Sequence, residues 1–360
     1  LHYFWVAKNN WYRLLFALVG VFIANALVLI NSRGAFLAVV VGGGYYMYLL
    51  YFSKARVKYQ RLGVIMVTVF GLAGAIYIAD DGFIAQYLAQ HTAANLTCYH
   101  TNFADYKLSQ AVKSERITSH FCVEYQAQVK HDLVIINFPK SKAEFGFTLA
   151  MLAESMTEDA TVIIVGENKS GIKSADKLGK DYLSFCHKVD AARHCLLYIG
   201  KFQAELPPFI IDEFYKYYQL AVDGIELKIA ALPGVFSQNG LDTGTEVLLE
   251  NLPDKIQGKV LDFGCGAGVI ASYIGTAFPD TKLTLVDVSA LALQSAQKTL
   301  SLNHLSGECL ASNSLSHVQD SYDFVISNPP FHQGIKTHYA ATEQFLTKIK
   351  QHLTMHGCIT

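Results

Sequence analysis

Acidic residues are missing from the first part of the chain. Residues 1–79 contain seven Lys or Arg and no Asp or Glu, whereas residues 80–360 contain 30 Asp or Glu and 22 Lys or Arg. The first part is too apolar for an ordinary soluble domain, and the second is too rich in charges of both signs and in aromatics to be disordered. The composition therefore excludes a wholly soluble protein and a wholly membrane-embedded one.

Paired cysteines are also missing. The seven cysteines are odd in number, scattered, and include no Cys-x-x-Cys pair. This pattern argues against a disulfide framework and against a zinc site. We therefore expect reduced thiols, no bound metal, and a cytoplasmic location for the charged part of the chain.

Two uncharged apolar runs lie near the N-terminus, at residues 14–30 and 35–52. Each is close to the roughly 20 residues that cross a bilayer core, so the pair predicts two transmembrane helices and membrane contact through residues 14–52. A buried helical hairpin is the alternative. The link Ser32-Arg33-Gly34-Ala35 faintly resembles the O-antigen ligase and polymerase family of membrane glycan enzymes. Residues 1–75 are also compatible with an unrelated reading frame joined to the rest.

From about residue 258 the pattern alternates between strands and helices. Apolar strands are predicted at residues 259–263, 282–287 and 323–327, with an amphipathic helix at residues 291–303. This alternation is typical of a parallel α/β sheet. The fold class predicted for the chain after its apolar head is therefore α/β.

An internal repeat indicates that this α/β unit is duplicated. Residues 132–139 match residues 323–330, and residues 82–88 match residues 268–274 in the same order. The pattern predicts tandem Rossmann-like domains, with a membrane-like segment at 1–75, a degenerate first copy at 76–230 and a catalytic copy at 231–360. We expect the first copy to lack the ligand site, because it has one glycine where the second has three. We also expect the second copy to be incomplete at its C-terminal end.

A glycine-rich turn follows the first strand of the second copy. The segment Asp262-Phe-Gly264-Cys265-Gly266-Ala-Gly268 lets the backbone approach a ligand closely. Asp287, followed by Val288, ends the next strand. Its distance along the chain from the glycine turn is the one at which an acid typically binds a ribose diol. The turn favours S-adenosylmethionine over a nicotinamide dinucleotide, the second choice. Asn313 follows the third expected strand and is a candidate for binding adenine; the alternative is a turn residue.

The segment Asn328-Pro329-Pro330-Phe331 follows another predicted strand and carries the chemistry. Two prolines fix the backbone and remove two donors, so the turn presents carbonyl oxygens. The side-chain oxygen of Asn328 and the carbonyl of Pro329 can accept both hydrogens of an exocyclic amino group, so that positioning replaces a strong base. Phe331 is expected to stack on the base.

The glycine turn, the acid and the Asn-Pro-Pro-Phe segment, in this order, resemble the class I methyltransferases that modify exocyclic nitrogens of bases. The nearest resemblance is to the RsmC family of 16S ribosomal RNA guanine-N2 methyltransferases, over about residues 75–360. It rests on those motifs and on residues 165–171 and 232–244. The resemblance implies that Phe236, Ser237 and Asp242 form a lid near the cofactor.

We therefore predict an S-adenosylmethionine-dependent methyltransferase acting on guanine N2 in 16S ribosomal RNA or the small ribosomal subunit. Another exocyclic base amine and a protein glutamine are the alternative acceptors, and a membrane glycan-assembly fragment fused to an inactive domain is the alternative of another class. Four lysines, Lys169, Lys173, Lys177 and Lys180, recur at helical spacing and are predicted to share a helical face. A solvated surface is the favoured interpretation of this face, and contact with RNA phosphates is the alternative.

Overall fold

The computed structural model describes residues 75–78, 94–112, 114–192, 194–328, 345 and 347–360. The predicted membrane helices within residues 14–52, the repeat segment at 82–88, and Pro329, Pro330 and Phe331 lie outside the described residues. In the part that the structure describes, no helix has the length and apolar character needed to cross a bilayer.

The first copy contains a seven-stranded sheet. Its strands stand in the order β3-β2-β1-β4-β5-β7-β6. Strands β1 to β5 run parallel, and β7 is antiparallel to both of its neighbours. The elements are β1 (Ala75–Ile78), β2 (Leu96–His100), α1 (Phe103–Gln110), β3 (Ile117–Phe121), β4 (His131–Asn137), α2 (Lys142–Ala153), β5 (Met156–Glu167), α3 (Ala175–Gly179), β6 (Leu183–Ala192) and β7 (Cys195–Phe202).

The second copy follows a two-stranded hairpin and contains a five-stranded parallel sheet. Its order, β12-β11-β10-β13-β14, repeats the first five positions of the other sheet. The elements are β8 (Lys216–Val222), β9 (Ile225–Ala231), α4 (Thr243–Glu250), β10 (Gly258–Phe263), α5 (Val269–Ala277), β11 (Thr281–Asp287), α6 (Ala290–Leu302), β12 (Gly307–Ala311), β13 (Tyr322–Ile326) and β14 (Leu353–Ile359). The predicted parallel α/β sheet is confirmed, with strand ends within one residue.

The two sheets share an irregularity that supports the duplication. Between β13 and β14 the register passes from Tyr322↔Leu353 to Phe324↔Cys358, so two residues of one strand span five of the other. Between β4 and β5 the same step occurs, from His131↔Met156 to Leu133↔Thr161. A shared bulge is a specific feature of a strand pair. It sits at the same place in both copies.

The predicted lysine face does not extend to Lys169, whereas Lys173, Lys177 and Lys180 are all exposed. Lys169 lies in a turn before Gly171, Lys173 lies in a 3₁₀ turn at Ile172–Ser174, and only Lys177 lies within the five-residue helix α3. Gly171 has a positive φ of 92°, so the chain reverses there and the helical spacing does not continue through it.

The hairpin is fastened to the second copy by buried hydroxyls. Ser295 Oγ of α6 accepts from the backbone N–H of Leu232 at 3.0 Å and donates to the carbonyl of Leu291 at 2.7 Å. Thr299 Oγ1 accepts from the N–H of Ala230 at 3.0 Å. Both hydroxyl-bearing residues are fully buried. These bonds fix the end of β9, from which the chain continues directly into the predicted lid.

Replacing Ser295 with Ala is expected to lower the free energy of unfolding by about 1–3 kcal/mol, because the N–H of Leu232 is left buried without an acceptor. Urea unfolding would measure the loss. Ser301→Ala, an exposed change on the same helix, is the matched control and should stay within about 0.5 kcal/mol of the unaltered chain. Equal effects of the two changes would contradict the role given to Ser295.

Candidate methyl-transfer site

The predicted site residues lie along one edge of the second sheet. The glycine turn follows β10, Asp287 ends β11, Asn313 follows β12 by two residues, and Asn328 follows β13 by two. Because these strands are parallel, their carboxyl ends share one edge, which is where ligands bind in open α/β sheets. Asn313 is exposed at this edge.

The glycine turn folds back onto the neighbouring strand. The N–H groups of Gly264 and Cys265 both donate to the carbonyl of Val286, at 2.8 and 3.1 Å. Gly264 has a φ of 76°, and a Cβ there would meet no atom within 4 Å, so open space lies in front of this backbone. A Cβ on Gly268 would come within 2.9 Å of Ala296 Cα, so glycine is required for α5 and α6 to approach each other.

Asp287 joins the turn to the following helix. Its Oδ2 accepts from the N–H of Gly266 at 3.0 Å, and its Oδ1 accepts from the N–H of Ser289 at 2.9 Å. Burial raises the pKa of this carboxyl, while these backbone hydrogen bonds act in the opposite direction. Each carboxylate oxygen has a second lone pair, so Asp287 can hold the loops together and still accept from a ribose hydroxyl.

Asp262 is a buried acid with one oxygen unused. Its Oδ2 accepts from the N–H of Ala271 at 3.1 Å, at the start of α5. Its Oδ1 is buried and has no hydrogen-bond partner among the described residues. Burial, with a smaller contribution from the charge of Asp287, raises the pKa of Asp262 to about 7. An unpartnered buried carboxylate oxygen beside the glycine turn is suited to a ligand that carries a hydrogen-bond donor or a positive charge.

Cys265 contributes its backbone and not a reactive thiol. The side chain is buried, and burial raises the pKa of the thiol well above its ordinary value. A thiol in this state is a poor nucleophile, because the thiolate is the reactive form.

The amide of Asn328 is held in one orientation by two side chains. Its Nδ2 donates to Thr245 Oγ1 at 2.8 Å and to Asp242 Oδ2 at 3.2 Å. Asp242 is itself fixed, because the same Oδ2 caps α4 by accepting from the N–H groups of Gly244 and Thr245. Both hydrogen bonds are donated by Nδ2, so neither of them uses the carbonyl oxygen Oδ1.

The structure therefore adds Thr245 to the site, and the motif analysis missed it. The available signal was the segment Asp242-Thr-Gly-Thr245, in which an aspartate precedes a helix as its N-cap. That pattern predicts the helix start. It does not predict that the first turn of this helix lies against a residue 83 positions further along the chain.

The lid predicted from the resemblance lies over the glycine turn. Phe236 is 49% exposed, and a Cβ on Gly266 would lie 3.6 Å from its Cβ. Ser237 has a φ of 61°, a left-handed conformation in a tight turn. A pocket at this place is lined by Phe236, Ser237, Thr245, Gly264, Cys265, Ala267, Val269, Ile270 and Asn328.

The equivalent edge of the first copy has lost its acid. In β1, Ala75 pairs with Leu96 and Leu133; in β10, Val260 pairs with Leu283 and Phe324. Matching these registers through the repeated strands β4 and β13 places His100 where the second copy has Asp287.

His100 is fully buried, and neither ring nitrogen has a hydrogen-bond partner in the described part of the chain. Burial lowers the pKa of His100 to about 4, so this ring is neutral at physiological pH. A neutral imidazole in this position cannot replace a carboxylate that accepts from two ribose hydroxyls.

The residues of the second copy fit S-adenosylmethionine. Open space faces Gly264, Asp287 ends β11 with lone pairs that can accept from a ribose diol, and the unused oxygen of Asp262 offers a partner to a cationic group. Within the described residues, no cluster of His, Cys, Asp and Glu is suited to a metal. The fold and this edge define a class I, S-adenosylmethionine-dependent methyltransferase.

The methyltransferase small domain model matches residues 226–360, and the model of its N-terminal domain matches residues 72–218. The ribosomal RNA small subunit methyltransferase C of Colwellia psychrerythraea is 53% identical over 315 residues, which cover 86% of this chain and 87% of that protein. The chain belongs to the ribosomal RNA small subunit methyltransferase C family, RsmC.

Two further comparisons agree. The protein of the same name from Pseudoalteromonas translucida is 39% identical over 78% of this chain and 82% of its own length. The solved structure of the 16S rRNA N2 methyltransferase RsmC of T. thermophilus, in complex with AdoMet and guanosine, has the same fold, with a TM-score of 0.68 over 80% of this chain and 79% of that one at 21% identity. Neither family model includes residues 14–52, so these matches give no support to the resemblance to membrane glycan enzymes.

Asp287→Ala is expected to weaken S-adenosylmethionine binding by about 1.5–3 kcal/mol, since it removes the ribose acceptor and frees the N–H groups of Gly266 and Ser289. Titration calorimetry would measure the loss. Asp280→Ala, an exposed change at the opposite end of β11, is the control and should leave the affinity unchanged. Unaltered binding by the Asp287 variant, or a preference for NAD, would refute the assignment.

Asp262 makes the stability of the cofactor-free protein depend on pH. Its raised pKa means that the folded state holds this proton more tightly than the unfolded state, so the stabilisation is complete below about pH 4 and is lost as the pH rises towards 7. Asp262→Asn removes this titration. The unfolding free energy of the variant should therefore gain about 2–3 kcal/mol relative to the unaltered chain between pH 5 and pH 8. If the difference in urea midpoint between the variant and the unaltered chain did not change with pH, Asp262 would have the same pKa in the folded and unfolded states, and the prediction would be wrong.

Proposed function

We propose that this chain transfers a methyl group from S-adenosylmethionine to the exocyclic N2 of a guanine in 16S ribosomal RNA. The observation that carries the proposal is the fixed amide of Asn328, which lines one pocket with Gly264 and whose Nδ2 is held by Thr245 and Asp242. These bonds leave the carbonyl oxygen Oδ1 as the acceptor of the amide, and we infer that it orients an amino group of the substrate.

An aromatic amine is a weak nucleophile because its lone pair is delocalised into the ring. A hydrogen bond from N2–H to Asn328 Oδ1 favours the pyramidal nitrogen that attacks, and acceptors fixed in advance need no reorganisation during the reaction. S-adenosylmethionine supplies the electrophilic methyl group. The methyl–sulfur bond breaks as the methyl–nitrogen bond forms, and N2 then loses a proton to water. The described residues therefore have to position the amino group, and they do not have to supply a strong base.

The acceptor carbonyl of Pro329 and the stacking ring of Phe331 remain predictions, because both residues lie outside the described range. A guanine in a duplex cannot bring N2 to this edge, so the base must be flipped or already unpaired. The curated relatives are named for the small-subunit ribosomal RNA, which supports 16S RNA or the small subunit as the substrate here.

The division of the chain is part of the proposal. We take residues 76–230 as a non-catalytic copy, supported by the loss of the acid at His100, and residues 231–360 as the catalytic copy, supported by the site on its sheet edge. A cytoplasmic location for both follows from the proposed RNA substrate. Membrane contact through residues 14–52 stays a prediction, and fractionation of cells producing the chain with and without residues 1–71 would test it.

Asn328→Ala is expected to lower the rate of methyl transfer by about two to three orders of magnitude, because one preorganised partner of the reacting nitrogen is lost. Thr245→Val keeps the shape of the side chain, removes the hydroxyl that holds the amide, and should lower the rate by about tenfold. S-adenosylmethionine affinity should stay nearly constant in both variants.

The assay is transfer of labelled methyl to unmethylated small subunits, followed by mass spectrometry of the nucleosides. Thr243→Val, an exposed change at the first residue of α4 and two residues before Thr245, is the matched control and should retain full activity. Equal rates for the Thr245 and Thr243 variants would remove the positioning role of Thr245. Methyl found on adenine, cytosine or a protein glutamine would overturn the guanine assignment.

A further inference from the structure

The two copies meet through a short antiparallel bridge beside the cofactor site. The N–H of Phe103 donates to the carbonyl of Val288 at 2.7 Å, and the N–H of Ala290 donates to the carbonyl of Thr101 at 2.8 Å. Asn102 and Ser289 are the bridge partners between them. Val288 directly follows Asp287, so the bridge holds the loop that carries the ribose acceptor.

The bridge joins equivalent positions of the two copies. The strand registers that match Leu96 with Leu283 also match Thr101–Phe103 with Val288–Ala290. Asn102 caps α1 through its side chain, and Ser289 caps α6 in the same way. Each turn therefore donates one backbone hydrogen bond to the other turn and accepts one from it, as equivalent segments of two subunits do across a two-fold axis.

The donors in this bridge are ones that a helix leaves free. Phe103 and Ala290 are the first residues of α1 and α6, and the N–H groups of a first helical turn have no partner within the helix. Here each finds its acceptor in the other copy. The ring of Phe103 is buried and lies edge-on to His317, with centroids 4.8 Å apart. The N–H of His317 donates to Ser312 Oγ at 3.0 Å, next to Asn313.

We propose that the first copy, through Phe103, positions both loops that hold the adenosine part of the cofactor in the second copy. The backbone N–H of Phe103 fixes the loop after β11, and its ring supports the loop after β12. The inference rests on the proposed cofactor site and assigns Phe103 as a positioning residue outside the catalytic domain. The plain alternative is that the bridge only joins two domains and contributes to stability.

Proline substitution can remove one bridge hydrogen bond without breaking a helix. Proline is favoured at the first position of a helix, where its missing N–H is otherwise unpartnered. The preceding residues already have the extended backbone that a following proline requires, with ψ of 123° at Asn102 and 124° at Ser289. Phe103→Ala loses the ring and keeps the N–H, so comparing it with Phe103→Pro isolates the hydrogen bond.

The test measures S-adenosylmethionine binding to the full chain by calorimetry and steady-state kinetics with small subunits. Phe103→Pro should bind about fivefold to tenfold more weakly than Phe103→Ala, the loss expected for one backbone hydrogen bond. The KM for S-adenosylmethionine should rise by the same factor while kcat at saturation stays unchanged. Lys142→Pro, at the first position of α2 where Ser141 has a ψ of 124°, is the matched control and should bind as the unaltered chain does.

Equal affinities of the proline and alanine variants, within twofold, would overturn the proposal. If Phe103→Pro does not fold, Ala290→Pro removes the reciprocal donor and decides the matter by the same measurement. Failure of both proline variants to fold, while Phe103→Ala folds and binds normally, would also overturn it, because the bridge would then serve stability alone. An unaltered chain that does not bind S-adenosylmethionine would instead refute the proposed function.

Discussion

The carboxylate of Asp287 is the contact on which the site depends. It accepts from Gly266 in the turn after β10 and from Ser289 at the start of α6. Two segments that are separate in sequence, the glycine turn and the loop after β11, are thereby fixed at one sheet edge. The same loop is held from the other side by the bridge to Thr101 and Phe103. The backbone hydrogen bonds favour the charged form of this acid, whereas burial acts against it and raises its pKa overall.

The duplicated fold shows what a site needs beyond its framework. Both sheets have the order 3-2-1-4-5 and the same bulge between the last two of these strands. Among the described residues of these strands, the second copy has an acid near the end of β10, Asp262, and another at the end of β11, Asp287. In the first copy the position of Asp287 holds a buried, neutral His100. The two copies thus share the backbone geometry of the sheet and differ in the charge at this strand end.

Local patterns predicted well wherever the physics is local. The strands around Asp262, Asp287 and Asn328 were predicted within one residue, because apolar runs bounded by glycine or proline specify buried parallel strands. The predicted lysine face lost Lys169 because spacing alone ignores Gly171, whose positive φ separates that residue from the helical turns after it. Thr245 was missed because nothing in its neighbourhood indicates a contact with an amide 83 residues away.

The sequence by itself determined the α/β class, the duplication, the glycine turn with its acid, and the Asn-Pro-Pro-Phe segment, since each follows from residue types at short spacing. Tertiary structure alone decided which way the Asn328 amide faces, which oxygen of Asp262 is left without a partner, and how Thr101–Phe103 meets Val288–Ala290. These three features depend on which side-chain and backbone groups are brought within about 3 Å of one another from distant parts of the chain. Hydrogen bonds at that range are set by packing, which no local pattern records.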